Sequence, residues 1–199
     1  MTTSNFSTHT IGWMAIATGV AAILAVVFLT LMYTVNGPFF GTLNDVFNSL
    51  IGISSLILAW MLYAEFHARA PMLAQSALLL ALLGAIFTLI GSVLVIFGFT
   101  GFVLAGWYTG IGNALIGLWL AVFCYSLLSR AALPHQLVIF GLIVGGCMAV
   151  GLIGIPGILA RIDNLQAMPW VLYIAGFGYV GTYFLYPIWT IWFGRLLVK

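Results

Sequence analysis

Three tyrosines, Tyr179, Tyr183 and Tyr186, stand at i, i+4 and i+7, and Pro187 follows at once. On a helix this spacing lays three hydroxyls along one face. The proline has no N–H for the carbonyl of Tyr183 and is expected to kink the helix there. A wall of rings suits a flat or lipophilic ligand; the plainer reading is aromatic packing with each hydroxyl on a backbone carbonyl. Asn48 and Asn113 are the second candidate, each opening a stretch Asn-x-Leu-Ile-Gly within apolar sequence. An amide in hydrocarbon costs several kcal/mol unless it is paired. Both are therefore expected to face protein or water, as interhelical clasps worth about 0.6–2 kcal/mol each or as a polar layer lining a pore or cavity. Asn48, Asn113, Tyr179, Tyr183 and Tyr186 are the candidate ligand-binding or pore-lining residues.

The other reactive side chains suggest less chemistry. His9, His67 and His135 are scattered, and no spacing among them resembles a metal site. Cys124 and Cys147 read as small hydrophobes. No catalytic constellation or phosphate-binding loop is present. Thr42-Leu43-Asn44-Asp45 reads as a capping-box variant, with Thr42 at the N-cap and Asp45 at the third helical position; the alternative for Asp45 is a cation or proton site at an outer mouth. Glu65 is expected to form an ion pair with Arg130 or Arg195, worth about 0–1 kcal/mol at a wet interface. Arg161 and Asp163 belong to a loop, as hydrated charges. No ionisable residue is then left for the membrane interior, where one would be the default functional signal. That argues against a proton-coupled pump, a voltage sensor, transport of a charged substrate and an enzyme.

These side chains must be positioned by membrane-spanning helices. Of the 199 residues, 64% are hydrophobic and only 4% charged, against about 45–50% and about 25% in soluble domains. Eight charged side chains (five Lys and Arg, three Asp and Glu) cannot solvate a globule, and a net charge of +2 gives no basis for a nucleic-acid partner. A crossing helix needs about 20 apolar residues. Six runs qualify, at residues 11–33, 46–64, 72–97, 108–128, 137–159 and 170–197. The expected fold is all-α: a single polytopic domain, residues 1–199, of six transmembrane helices.

Asn48 and Asn113 lie 65 residues apart, and the same offset aligns Gly41 with Gly106 and Gly19 with Gly84. Applied again, it brings Glu65, Arg130 and Arg195 into register. This suggests three parallel two-helix hairpins, at residues 1–70, 71–135 and 136–199, with Asn48 and Asn113 at one depth and a tyrosine hydroxyl of the sixth span nearby. Arg69, Arg130, Arg195 and Lys199 fall on one side and Arg161 on the other, so the positive-inside rule puts the C-terminus in the cytoplasm of a plasma membrane. The N-terminus is expected outside, with Trp13 in the outer aromatic belt. Short loops and an apolar interior favour a non-enzymatic accessory or interaction protein, or a binder of a lipid or lipophilic ligand. The alternative is a channel or facilitator for a small neutral solute. Membrane lipids are the expected partners, together with other membrane subunits or further copies of the chain; the sequence names no cofactor.

Overall fold

The computed structural model describes residues 6–68, 70–128 and 132–199, except for the side chains of Glu65 and Ala167. The protein is an all-α polytopic membrane protein, with six helices long and apolar enough to cross a bilayer. The first four spans are single helices: α1 (Thr8–Val35), α2 (Pro38–His67), α3 (Pro71–Ile96) and α4 (Phe102–Leu127). Ser7 starts α1, its Oγ accepting from the Thr10 amide at 3.1 Å. Asn36 stops it at φ 54°, a left-handed conformation that asparagine tolerates. Only Gly37 then separates α1 from Pro38, the first residue of α2. A proline at that position loses no helical hydrogen bond.

The second and fourth spans begin earlier than hydropathy alone suggests. α2 starts at Pro38 rather than at residue 46, so Thr42 and Asp45 lie inside it and form no capping box. α4 starts at Phe102, leaving a short turn before it in place of an apolar loop. Its cap comes from far along the chain. Asp163 Oδ2 accepts from the Gly101 amide at 2.6 Å and Oδ1 from the Leu104 amide at 3.0 Å. Asp163 is therefore a helix cap and not merely a hydrated charge, because free amides at a helix start favour a carboxylate.

The last two spans are broken. The fifth runs as α5 (His135–Ala149), a 3-10 stretch over Val150–Gly154 and α6 (Ile155–Leu159). Pro156 cannot donate to the carbonyl of Leu152, which disrupts the α-helical ladder here, and the 3-10 stretch contains two glycines, Gly151 and Gly154. The sixth runs as α7 (Trp170–Ala175), α8 (Phe177–Val180), a π-helical turn over Gly181–Leu185 and α9 (Tyr186–Val198). In that turn the Tyr186 amide donates to the carbonyl of Gly181. The disturbance expected at Pro187 thus takes the form of one widened turn immediately before it.

Around the bundle, each span touches the next and the sixth returns to the first. Paired small residues permit the close approaches. A Cβ on Gly84 would meet the Gly112 carbonyl, one on Gly117 the Gly145 carbonyl, and one on Gly194 the Gly12 carbonyl. The Gly141/Gly145 stripe is likewise spent inside the bundle, against Cys124, Trp189, Gly117 and Ala121. Such contacts gain dispersion where lipid removes the hydrophobic drive between helices.

The Gly12–Gly194 contact puts the start of α1 beside the end of α9. Both termini therefore share one face, as six crossings, an even number, require. This corrects the expectation of termini on opposite sides, and it moves Trp13 to the terminal face with Trp60 and Trp192. The proposed pairing of Glu65 with Arg130 or Arg195 falls outside the described residues, since the Glu65 side chain and Arg130 are not among them.

The terminal half is filled by aromatic rings. Trp119, Trp189, Tyr186 and Phe193 are fully buried; Trp189 and Phe193 stack at 5.0 Å, and Phe123 meets both edge-on. Trp189 Nε1 donates to the Leu137 carbonyl at 3.1 Å. The opposite half is not filled in this way, and it contains a cavity.

Candidate ligand cavity

The cavity has a volume of about 440 Å³ and lies between α1, α2, α4 and the sixth span. Its polar wall comes from the early part of α2. Asn44, Asp45 and Asn48 stand at i, i+1 and i+4, so they share a face once the helix begins at Pro38. All three are buried, Asp45 at 7% exposure and the two amides at 2%.

A relay of hydrogen bonds fixes this wall. The Tyr183 hydroxyl donates to Asn48 Oδ1 at 3.0 Å. Asn48 Nδ2 donates to Asn44 Oδ1 at 3.1 Å, and Asn44 Nδ2 donates to the Ala25 carbonyl at 2.8 Å. Three spans are thereby clasped together. On the far side of α2, Ser92 Oγ donates to the Asp45 carbonyl at 2.8 Å and pins α3. The Asp45 carboxylate is different: it has no hydrogen bond or ion pair with any described residue.

The facing walls are rings and small residues. Tyr179 stacks on Tyr183 with centroids 5.6 Å apart and donates to the Gly106 carbonyl at 2.6 Å. Gly106 and Gly110 leave room for that phenol, since a Cβ on either would point at the Tyr179 hydroxyl. Trp107 is fixed by its Nε1 bond to the Ile162 carbonyl at 3.1 Å and is backed by Gly154 and Gly157. The interrupted fifth span thus shapes the cavity from behind. Tyr33, Phe102 and Tyr173 complete the aromatic lining.

No family model, curated protein or solved structure matches this chain. Its site is therefore argued from geometry alone. Two expected residues, Asn48 and Tyr183, are brought into direct contact, and Tyr179 joins them in the lining. Tyr186 is not part of it. Its hydroxyl pairs with that of Ser55 at 2.8 Å, deeper in the bundle; the widened turn over Gly181–Leu185 separates it from the other two tyrosines. Asn113 does not join the site either. It is 2% exposed, but neither side-chain atom has a hydrogen-bond partner, and it does not line the cavity. The expected two-amide layer is replaced by Asn44, Asp45 and Asn48 on one helix.

Sequence reasoning placed Asp45 at the mouth of the span as a cap and did not include Asn44 in the site, because it started α2 too late. The usable signal was Gly37-Pro38, which marks a helix start and carries all three polar residues into the span. The premise that no ionisable residue lies within a span fails with it.

A second hollow, a groove of about 690 Å³, runs along the seam between α1 and α9. It shares Val26, Tyr183 and Phe184 with the cavity and continues past Pro187 and Ile188 toward Arg195 and Lys199. Phe184 and Ile188 are each more than half exposed along it. Among the described residues no group of three His, Cys, Asp or Glu could hold a metal ion.

Proposed function

We propose that the protein is a non-enzymatic membrane protein that binds a lipophilic ligand with a polar head. One observation carries this reading: an otherwise apolar cavity of about 440 Å³ with a single polar wall of Asn44, Asp45, Asn48 and Tyr183. Pockets for small molecules are commonly about 300–1,000 Å³, apolar, with a few placed polar groups. The adjoining groove supports a tail as well as a head, because its shared residues lead from the polar wall onto an exposed apolar seam. An acyl or prenyl chain suits such a seam better than a column of water does.

The competing reading is a facilitator for a small neutral solute, favoured by the continuity of cavity and groove through Val26, Tyr183 and Phe184. The test purifies the protein in mild detergent and analyses its extract by mass spectrometry. A retained lipophilic species, lost in a folded Asn48→Leu variant, is the expected result. A protein free of any such species that carries neutral-solute flux in liposomes overturns ligand binding in favour of facilitation.

In the same reading the terminal face is cytoplasmic. Four of the five Lys and Arg (Arg69, Arg130, Arg195 and Lys199) belong to that face by sequence, as the positive-inside rule favours in a plasma membrane. The cavity then opens from the outer half of the bilayer.

A further inference from the structure

We propose that the head group recognised by this cavity is a cation, a lipophilic amine or quaternary ammonium or phosphonium group, with Asp45 as its counter-ion. The inference rests on the reading of the cavity as a ligand site and adds the charge of the ligand.

Asp45 carries the argument. Its side chain lines the cavity at 7% exposure, within a membrane span, and meets no cation among the described residues. Carboxylates at membrane depth are costly, and they pair or mark a ligand or ion path. Among the described residues the lining contains no Lys, Arg or His, so none of them supplies a positive charge at this wall.

The remaining polar groups point the same way. Tyr183, Asn48 and Asn44 each donate to a protein acceptor in the relay, and Tyr179 donates to Gly106. The Tyr179 and Tyr183 protons and one N–H of each amide are committed, while the Asp45 carboxylate beside them is left without a donor. An anion would meet Asp45 without a compensating cation. A neutral acceptor would take a spare amide N–H and leave the Asp45 carboxylate unpaired. A cation meets the carboxylate and the faces of Tyr179, Tyr183 and Trp107, whose π-clouds attract positive charge. These four groups lie on three different spans, so a cation placed among them would also draw the walls together.

The test uses the full-length protein in phosphatidylcholine nanodiscs and three probes of similar bulk: tetraphenylphosphonium, tetraphenylborate and neutral triphenylphosphine oxide. Binding is measured for wild type and for Asp45→Asn, which keeps the size and removes the charge, one acceptor oxygen becoming an amide donor. Circular dichroism and thermal unfolding establish that the variant is folded, and Asp45→Ser serves as the second variant if it is not. The expected result is a preference of at least tenfold for the phosphonium over the borate, and a tenfold or greater loss of phosphonium affinity on Asp45→Asn with neutral-probe binding unchanged. Neutral-probe binding without a phosphonium preference, or with one that survives loss of the carboxylate, overturns the cation assignment and leaves the ligand cavity standing. If none of the three probes binds wild type, the cavity reading and the cation assignment fall together.

Discussion

Tyr183 donates its hydroxyl proton to Asn48 across 3.0 Å, joining two spans separated by 135 residues of sequence. Each group depends on the other, because a buried amide oxygen without a donor and a phenol without an acceptor are both penalised in lipid. Asn48→Leu and Tyr183→Phe should each destabilise the protein. A double-mutant cycle in unfolding experiments should give a coupling of about 0.6–2 kcal/mol. Strict additivity of the two changes would show that the contact contributes nothing.

Asn113 should behave in the opposite way. Its amide is buried without a partner, so it contributes a desolvation cost and no bond to offset it. Asn113→Leu is expected to leave thermal stability unchanged or raise it, whereas Asn48→Leu lowers it. A clear loss of stability in Asn113→Leu would reveal a partner for the amide, such as a water or bound ligand.

The distant cap on α4 gives a local prediction. Removing the Asp163 carboxylate frees the amides of Gly101 and Leu104. Asp163→Ala should cost about 0.5–2 kcal/mol, the usual range for a lost helix cap. Hydrogen exchange should rise at Gly101 and Leu104. Unchanged exchange there would remove Asp163 from the helix start.

Glycine substitutions separate contact from mere composition. A Cβ on Gly112 would run into the backbone of Gly84 and Thr88, whereas one on Gly146 meets nothing. Gly112→Ala is expected to cost about 1–3 kcal/mol by overpacking. Gly146→Ala should be neutral or stabilising, since alanine is the better helix former. Equal effects in the two variants would refute the close α3–α4 approach.

Topology is checked by labelling. Cysteines placed at Phe6 and Lys199 should react with an impermeant reagent only from the cytoplasmic side, and one at Arg161 only from outside. Opposite reactivity of the two ends would contradict the Gly12–Gly194 contact that brings them to one face.

Hydropathy made the six spans legible because an uninterrupted apolar run of bilayer length has few other uses. It was a poor guide to where a helix begins, since a polar first turn is compatible with either loop or helix. Asp45 shows the consequence: eight residues of early helix turn a presumed surface cap into a buried carboxylate facing a cavity. A sixth-span tyrosine hydroxyl could be expected near Asn48 because both groups are polar and both needed partners, but the sequence did not single out Tyr183. Asn44 and Asp45 were read as part of a helix cap and not as neighbours of Asn48 in a site. Tyr186 was misgrouped for another reason. Its i+7 spacing assumes 3.6 residues per turn, and the widened turn before Pro187 breaks that assumption. Asp163 lies 62 residues from Gly101, and no local pattern announces such a contact.

The seam between the first and last spans also sets an order of assembly. Gly12 meets Gly194, Gly19 meets Thr190, and the polar wall of α2 waits for Tyr183. During synthesis α1 and α2 are made first, yet the surfaces that complete them belong to the final stretch of chain. Until that stretch arrives, Asn44 has its bond to α1 and Asn48 its bond to Asn44, but the Asn48 oxygen lacks its Tyr183 donor. A chain stopped after the fifth span would leave Asn48 without its Tyr183 donor, an unpaired polar signal in the membrane. Ring closure by the last helix conceals the signal and creates the cavity in one step.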